Sequence, residues 1–255
     1  MAYDNISVSR NDHAATLRLE GSPGNLLNID IMEELNQALL ELRGTDGIEV
    51  LILRGSGNNF CEGLDLADHR KERLQRLLQV YSRIFETIRM MDMVTIAAVK
   101  GKAWGSGFEL ALGCNLIVAA ETASFRLPEI EKGIIPHIAS IILPRVAPRR
   151  MAMEWILTGK EIGTQDLHRV GLVNRIFSDD AFDAGVDELV GELTGKSGPV
   201  LQLARRAQAE AYYSTYEEAL YRVQNLYLRE LMELEDASEG VTAHLEGRAP
   251  VWKNR

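Results

Sequence analysis

Apolar positions follow two rhythms along this chain. Short, nearly continuous apolar runs recur at residues 15–19, 49–54 (EVLILR), 95–99 (TIAAV), 115–119 (NLIVA), 124–127 (SFRL) and 172–177 (LVNRIF), and each reads as a strand. Between them apolar residues fall three or four apart. Residues 30–42 present Met32, Leu35, Leu39 and Leu42 on one helical face, with Asp30 placed to cap the start. Residues 70–91 read as a longer amphipathic helix. A glycine-bearing turn at 101–107 then opens a short helix over about 107–113. Residues 151–157 and 164–170 are helical, the second stopped by Gly171.

From residue 179 the rhythm is helical throughout: 179–193, 199–213, 216–235 and 237–245, with Pro199 suited to a first helical turn. A composition break at 195–198 (GKSG) separates the two regimes. The pattern therefore predicts an α/β core over residues 1–195 and an all-helical region over 196–255. No fixed-period repeat or low-complexity segment is visible.

Composition narrows the function classes. Of 255 residues, 46% are hydrophobic and 25% charged, enough apolar mass to bury a core and to exclude bulk disorder. The 28 Lys and Arg stand against 37 Asp and Glu, a net charge of -9, which argues against a nucleic-acid partner. It leaves room for an anionic ligand held by local cations. Two cysteines, Cys61 and Cys114, read as reduced thiols of a cytoplasmic protein. The opening MAYDNISVSRND lacks a signal-peptide pattern. The most apolar stretch, 110–120, contains Asn115 and is too short to span a membrane.

Several tempting motifs miss. Gly105-Ser106-Gly107 begins like a dinucleotide fingerprint, but Leu110 stands at the third glycine position. Gly195-Lys196-Ser197 resembles the end of a phosphate loop whose first glycine would fall on Val190. The turn at 104–107 has the wrong spacing for a nucleophile elbow. Five scattered histidines without HxxxH or CxxC make no metal set.

Two segments carry chemistry together: AAVKGKAWGSGFELAL (97–112) and SFRLPEIEKGIIP (124–136). In the first, a buried strand ends in a glycine turn that opens a helix. The free N–H groups of such a helix start can hold a developing negative charge. Glu109 falls in the first turn of that helix, where a carboxylate is also at home for the dipole alone. Glu129 follows Pro128 directly after a strand, where it could face a cleft or simply be solvated. Glu121 and Glu131 look solvated.

These segments resemble the enoyl-CoA hydratase/isomerase (crotonase) superfamily over nearly the whole chain. Its small-residue AGxDL loop is echoed by Cys61-Glu62-Gly63-Leu64-Asp65-Leu66, its GGGxELA by Gly105-Ser106-Gly107-Phe108-Glu109-Leu110-Ala111, and its FxxPEIxxGxxP by Phe125 through Pro136. The twenty residues from Glu109 to Glu129 match the family's spacing. The resemblance implies a ββα spiral core with a C-terminal helical oligomerisation region. It also implies an oxyanion hole from the Leu64 and Ser106 amides, with Glu109 and Glu129 as the catalytic pair of a hydro-lyase. Glu62, Gly63, Asp65, Gly105 and His137 would line the substrate site. The implied partner is an acyl-CoA thioester. CoA is then part of the substrate, so no separate cofactor or metal is expected. A homotrimer or homohexamer is the usual assembly.

Three departures bear on the substrate. Ser106 replaces the central glycine, Leu64 stands where the family often has alanine, and His137-Ile138-Ala139-Ser140 replaces a GAGG run. His137 has a packing reading as well as a site reading. The 128–146 segment and the tail, including Asp236-Ala237-Ser238-Glu239-Gly240 and the residues through Trp252, resemble the cyclohexa-1,5-diene-1-carbonyl-CoA hydratases of anaerobic benzoyl-CoA degradation. The product there would be 6-hydroxycyclohex-1-ene-1-carbonyl-CoA. The alternatives are a general short-chain enoyl-CoA hydratase or isomerase, a non-catalytic acyl-CoA-binding homologue, and an unrelated doubly wound α/β protein. Arg70, Lys71 and Arg73 are candidates for the CoA phosphates, or simply a solvated helix face.

Overall fold

The computed structural model describes residues 3–21, 23–212 and 214–255. A hairpin of β1 (Ile6–Asn11) and β2 (Ala14–Leu19) opens the chain, turning at Asp12 with φ of 37°. The periodicity reading missed β1, because only Ile6 of this polar edge strand is fully buried. Helix α1 (Ile29–Arg43) buries the expected face, including Met32, Leu35, Leu39 and Leu42. Its cap is Asn28, not Asp30: the Asn28 side chain accepts from the Ile31 amide at 2.8 Å, and Asp30 sits inside the first turn.

Strand β3 (Val50–Gly55) lies parallel to β2, and α2 (Lys71–Arg89) packs on α1. Buried Asn36 ties the two helices, donating to the Met32 and Val80 carbonyls at 3.0 Å each. All six residues of β4 (Val94–Val99) are buried, as expected for a parallel strand covered on both faces. The short β5 (Lys102–Trp104) leads into α3 (Ser106–Gly113). Then come β6 (Leu116–Ala120), β7 (Ser124–Arg126) and a 3₁₀ turn, Pro128–Lys132.

Helix α4 (Ala139–Val146) occupies a stretch for which the rhythm predicted no element, and it carries Pro144 inside it. Helix α5 (Arg149–Thr158), β8 (Ile162–Gly163), α6 (Thr164–Arg169) and β9 (Arg175–Phe177) complete the mixed region. The last strand is shorter than the 172–177 run, because the Leu172 and Val173 amides turn back to the Leu167 carbonyl.

Two sheets result. The larger has the order β1-β2-β3-β4-β6-β9, parallel except for the β1–β2 hairpin. The smaller, β5-β7-β8, leaves the end of β4. Helix α7 (Phe182–Thr194) packs on the larger sheet, and α8 (Gly198–Tyr212), α9 (Tyr216–Arg229) and α10 (Glu235–Glu246) follow. Tyr213, the expected end of α8, lies outside the described residues. The single helix expected over 216–235 is two pieces. It ends at Glu230, whose carboxylate Arg206 clamps at 2.6 and 2.7 Å, and a 3₁₀ turn, Leu231–Glu233, intervenes before α10. No helix among the described residues is long and apolar enough to cross a membrane.

Candidate active site

The site grows from the small sheet. The Phe60 and Cys61 amides donate to the Lys102 carbonyl at 3.0 Å each, and Trp104 N–H donates to the Cys61 carbonyl at 2.9 Å. This lays the loop after β3 alongside β5. On the loop's other side, Leu27 N–H bonds the Gly63 carbonyl at 2.9 Å and Asp65 N–H bonds the Leu27 carbonyl at 2.8 Å. Gripped from both sides, the chain passes Gly63 against the start of α3. A side chain added at Gly63 would begin 3.9 Å from the Ser106 amide. The Leu64 and Ser106 amides have no backbone acceptor among the described residues; Leu64 lies on the loop after β3 and Ser106 is the first residue of α3. Both residues line one cavity, where two free amide donors can serve an anion.

Glu109 sits in the first turn of α3, 2% exposed. Its carboxylate is held by three donors. One oxygen accepts from the Ile138 and Ala139 amides at 2.7 and 2.8 Å, and the other accepts from the Tyr81 hydroxyl. Burial holds the carboxyl above the ordinary carboxylate range; Tyr81, the two amides and the His137 ring oppose that rise without cancelling it. Tyr81 comes from the buried face of α2, and its ring packs edge-on against Phe85 at 5.0 Å.

Glu129 projects from the 3₁₀ turn after β7. Its carboxyl is pushed up to about 7, by burial first and by the charge of Glu109 second. One of its oxygens is buried without a partner. The other lies where a side chain on Gly105 would be: a Cβ there would stand 2.6 Å from it, and Gly105 has φ of 53° and ψ of -122°. Only glycine fits that position on both counts.

The two carboxylates open onto one cavity of about 410 Å³. Of the residues singled out from sequence, Glu62, Gly63, Leu64, Gly105, Ser106, Glu109, Glu129 and His137 all line it. Asp65 does not: its carboxylate accepts from the Ala67 amide at 2.9 Å and caps a 3₁₀ turn, Leu66–His69. Glu62 is turned toward Asn59 and Lys102, at 2.7 and 3.4 Å. Leu66, Leu74, Leu78, Ile134 and Ile135 supply an apolar wall. Arg73 pairs with buried Asp68 at 2.6 Å, which occupies one of the suggested phosphate ligands.

Sequence reasoning missed Tyr81, His69 and Lys132, which also line the cavity. Tyr81 was visible only as a position on the helical stripe with Leu77, Ile84 and Ile88. Nothing in that spacing shows where its hydroxyl goes.

Known proteins resemble this chain over nearly its whole length. The sequence model of the family described as Enoyl-CoA hydratase/isomerase matches residues 10–255. A carnitinyl-CoA dehydratase of Escherichia coli (strain K12) is 31% identical over 271 residues, covering 99% of each chain. The crystal structure of an enoyl-CoA hydratase from Bacillus anthracis superposes with a TM-score of 0.93 at 28% identity, covering 99% of this chain and 100% of that one. A structure of an enoyl-CoA hydratase from Geobacillus kaustophilus reaches 0.95 at 25% identity, over 100% and 98% of the two chains.

Proposed function

The chain belongs to the enoyl-CoA hydratase/isomerase family and is a hydro-lyase with the crotonase fold, and from that premise we propose how its site works and on what. The activity is of the hydratase or dehydratase type on CoA thioesters. In our reading the thioester oxygen docks between the Leu64 and Ser106 amides. Addition of water to the conjugated double bond then moves an electron pair onto that oxygen as an enolate. Each preorganised amide is worth about 3–4 kcal/mol at that stage, by analogy with other oxyanion holes.

Glu109 takes the proton from the attacking water as the new C–O bond forms at the β-carbon. Glu129 gives its proton to carbon as the enolate collapses: to the α-carbon of a linear enoyl thioester, or to the far end of a conjugated cyclic diene, so that the remaining double bond stays beside the thioester. The reverse sequence eliminates water. One observation carries this division of labour: a triply hydrogen-bonded Glu109 shares one cavity with Glu129, which has one buried oxygen without a partner and is pushed up to about 7. Burial raises both carboxyls, but only Glu109 has three donors that favour its charged form, and its charge raises Glu129 further, which suits the two to opposite proton tasks. No separate cofactor enters this scheme.

We further propose a cyclic dienoyl-CoA, cyclohexa-1,5-diene-1-carbonyl-CoA, as the substrate. The reading is supported by Leu64 and the apolar wall, by His137-Ile138 in place of small residues, and by the resemblance of the tail. The competing reading is a linear acyl group, such as that of the carnitinyl-CoA dehydratase relative. The test compares hydration of the cyclic dienoyl-CoA, crotonyl-CoA and dehydration of carnitinyl-CoA, following the thioester chromophore. Highest kcat/KM on the ring supports the proposal, and preference for either linear thioester removes it. Thioester binding without turnover of any of the three also removes it.

Residues 1–195 act in this proposal as the catalytic core and 196–255 as the region through which copies assemble into trimers or hexamers. Helix α9 supports it by presenting Leu220, Tyr221, Tyr227 and Leu228 to solvent along one stripe.

A further inference from the structure

We propose that Tyr81 and Ser106 together form a positioning device that holds the Glu109 carboxylate in one orientation. The proposal rests on the reading of Glu109 as the water-activating carboxylate.

A carboxylate offers about four acceptor directions. Three of those on Glu109 are filled, two by the Ile138 and Ala139 amides and one by the Tyr81 hydroxyl. One direction is left for a water in the cavity. The rotation of the carboxylate is therefore settled before any substrate arrives, which is the preorganisation that a proton transfer in a buried site needs.

Tyr81 is itself fixed: it is 1% exposed and its ring packs against Phe85. In this proposal its oxygen takes a hydrogen bond from the Ser106 side chain, which is buried and lines the same cavity. A relay results: Ser106 hydroxyl to Tyr81 oxygen, Tyr81 hydroxyl to Glu109. With its own O–H committed to Glu109 and its oxygen partnered by Ser106, the tyrosine satisfies both its polar capacities in a dry setting. Ser106 thereby has two functions. Its amide is one of the two free donors at the cavity, and its hydroxyl anchors the group that steadies Glu109. This accounts for a serine, rather than a glycine, at the centre of Gly105-Ser106-Gly107.

The ionisable groups facing Glu109 are Tyr81 from α2, Glu129 from the 3₁₀ turn and His137 from the segment before α4, with Cys61 beside Tyr81. Of these, Tyr81 alone donates to the carboxylate through its side chain among the described residues. Loss of its hydroxyl removes a bond made to the charged form, so the Glu109 titration must move to higher pH.

The experiment is a carboxyl ¹³C NMR titration of Glu-labelled protein, with Glu109 assigned by the signal lost in Glu109→Gln. In Tyr81→Phe the Glu109 midpoint is expected to rise by about one pH unit, a tenfold change in proton affinity. Ser106→Ala, which keeps the amide and the tyrosine ring, is expected to move it less and in the same direction. An unmoved midpoint in folded Tyr81→Phe overturns the proposal; should that variant not fold, an unmoved midpoint in Ser106→Ala does so. With an active substrate, kcat of Tyr81→Phe falls about ten- to a hundredfold while KM holds, and the acidic limb of the pH profile shifts upward with the titration. A lower melting temperature with an unchanged pH profile marks a purely structural role and also overturns it. The titration needs no turnover, so an inactive parent protein defeats the functional reading without deciding this one.

Discussion

Glu109 and Glu129 carry the same functional group in opposite surroundings. One is bound by three donors, the other has a buried oxygen with no partner. This asymmetry has a consequence for stability as well as for rate. The Glu129 carboxyl titrates near 7 in the folded chain, against an ordinary 4.5. Between those values the folded state holds a proton that the unfolded chain has released. Stability therefore declines as pH rises through the window, by up to about 3 kcal/mol. Glu129→Gln removes this decline: denaturant unfolding at pH 5 and pH 8 should show a smaller loss than in the parent. The same substitution should lower kcat by about 10²–10⁴-fold with the fold intact. A parent-like pH dependence of stability, or full activity, contradicts the role given to Glu129.

The element that matters most is the junction between β5 and α3. Gly105 turns the chain there with a backbone conformation open only to glycine, and the Glu129 carboxylate fills the space a side chain would take. Gly105→Ala should cost about 1–3 kcal/mol through strain. It should lower kcat beyond what stability explains, because both the Ser106 amide and Glu129 shift. Circular dichroism and steady-state kinetics on one preparation separate the two effects, and a variant with parent kcat sinks the argument. The reading of periodicity reached α1, α2, β3 and β4 with ends within a residue or two. It missed α4, where a proline interrupts the apolar rhythm, and β1 and β5, which are too polar or too short to show one.

At the scale of the molecule, the helical tail leaves apolar surface in water. Tyr221 and Leu228 are each 68% exposed and lie two turns apart on α9. On the proposed assembly they sit between copies. Tyr221→Glu combined with Leu228→Glu should reduce the mass found by sedimentation from a multiple of three chains to one. A parent protein that sediments as a monomer rules the assembly out.

The amino-acid sequence alone determined the α/β class, the helical tail and the ordered motifs that place Leu64, Ser106, Glu109 and Glu129 in one family pattern. These are properties of local rhythm and spacing, which a linear string records. Tertiary structure decided which groups touch. Tyr81 lies 28 residues before Glu109, and the Ile138 and Ala139 amides lie 29 and 30 residues beyond it. No periodicity links these positions. Asp65, beside Leu64 in the same motif, turns away to cap its own turn. Hydrogen bonding and desolvation act through space, so the ionisation of the two glutamates exists only once α2, α3 and the start of α4 have packed around them.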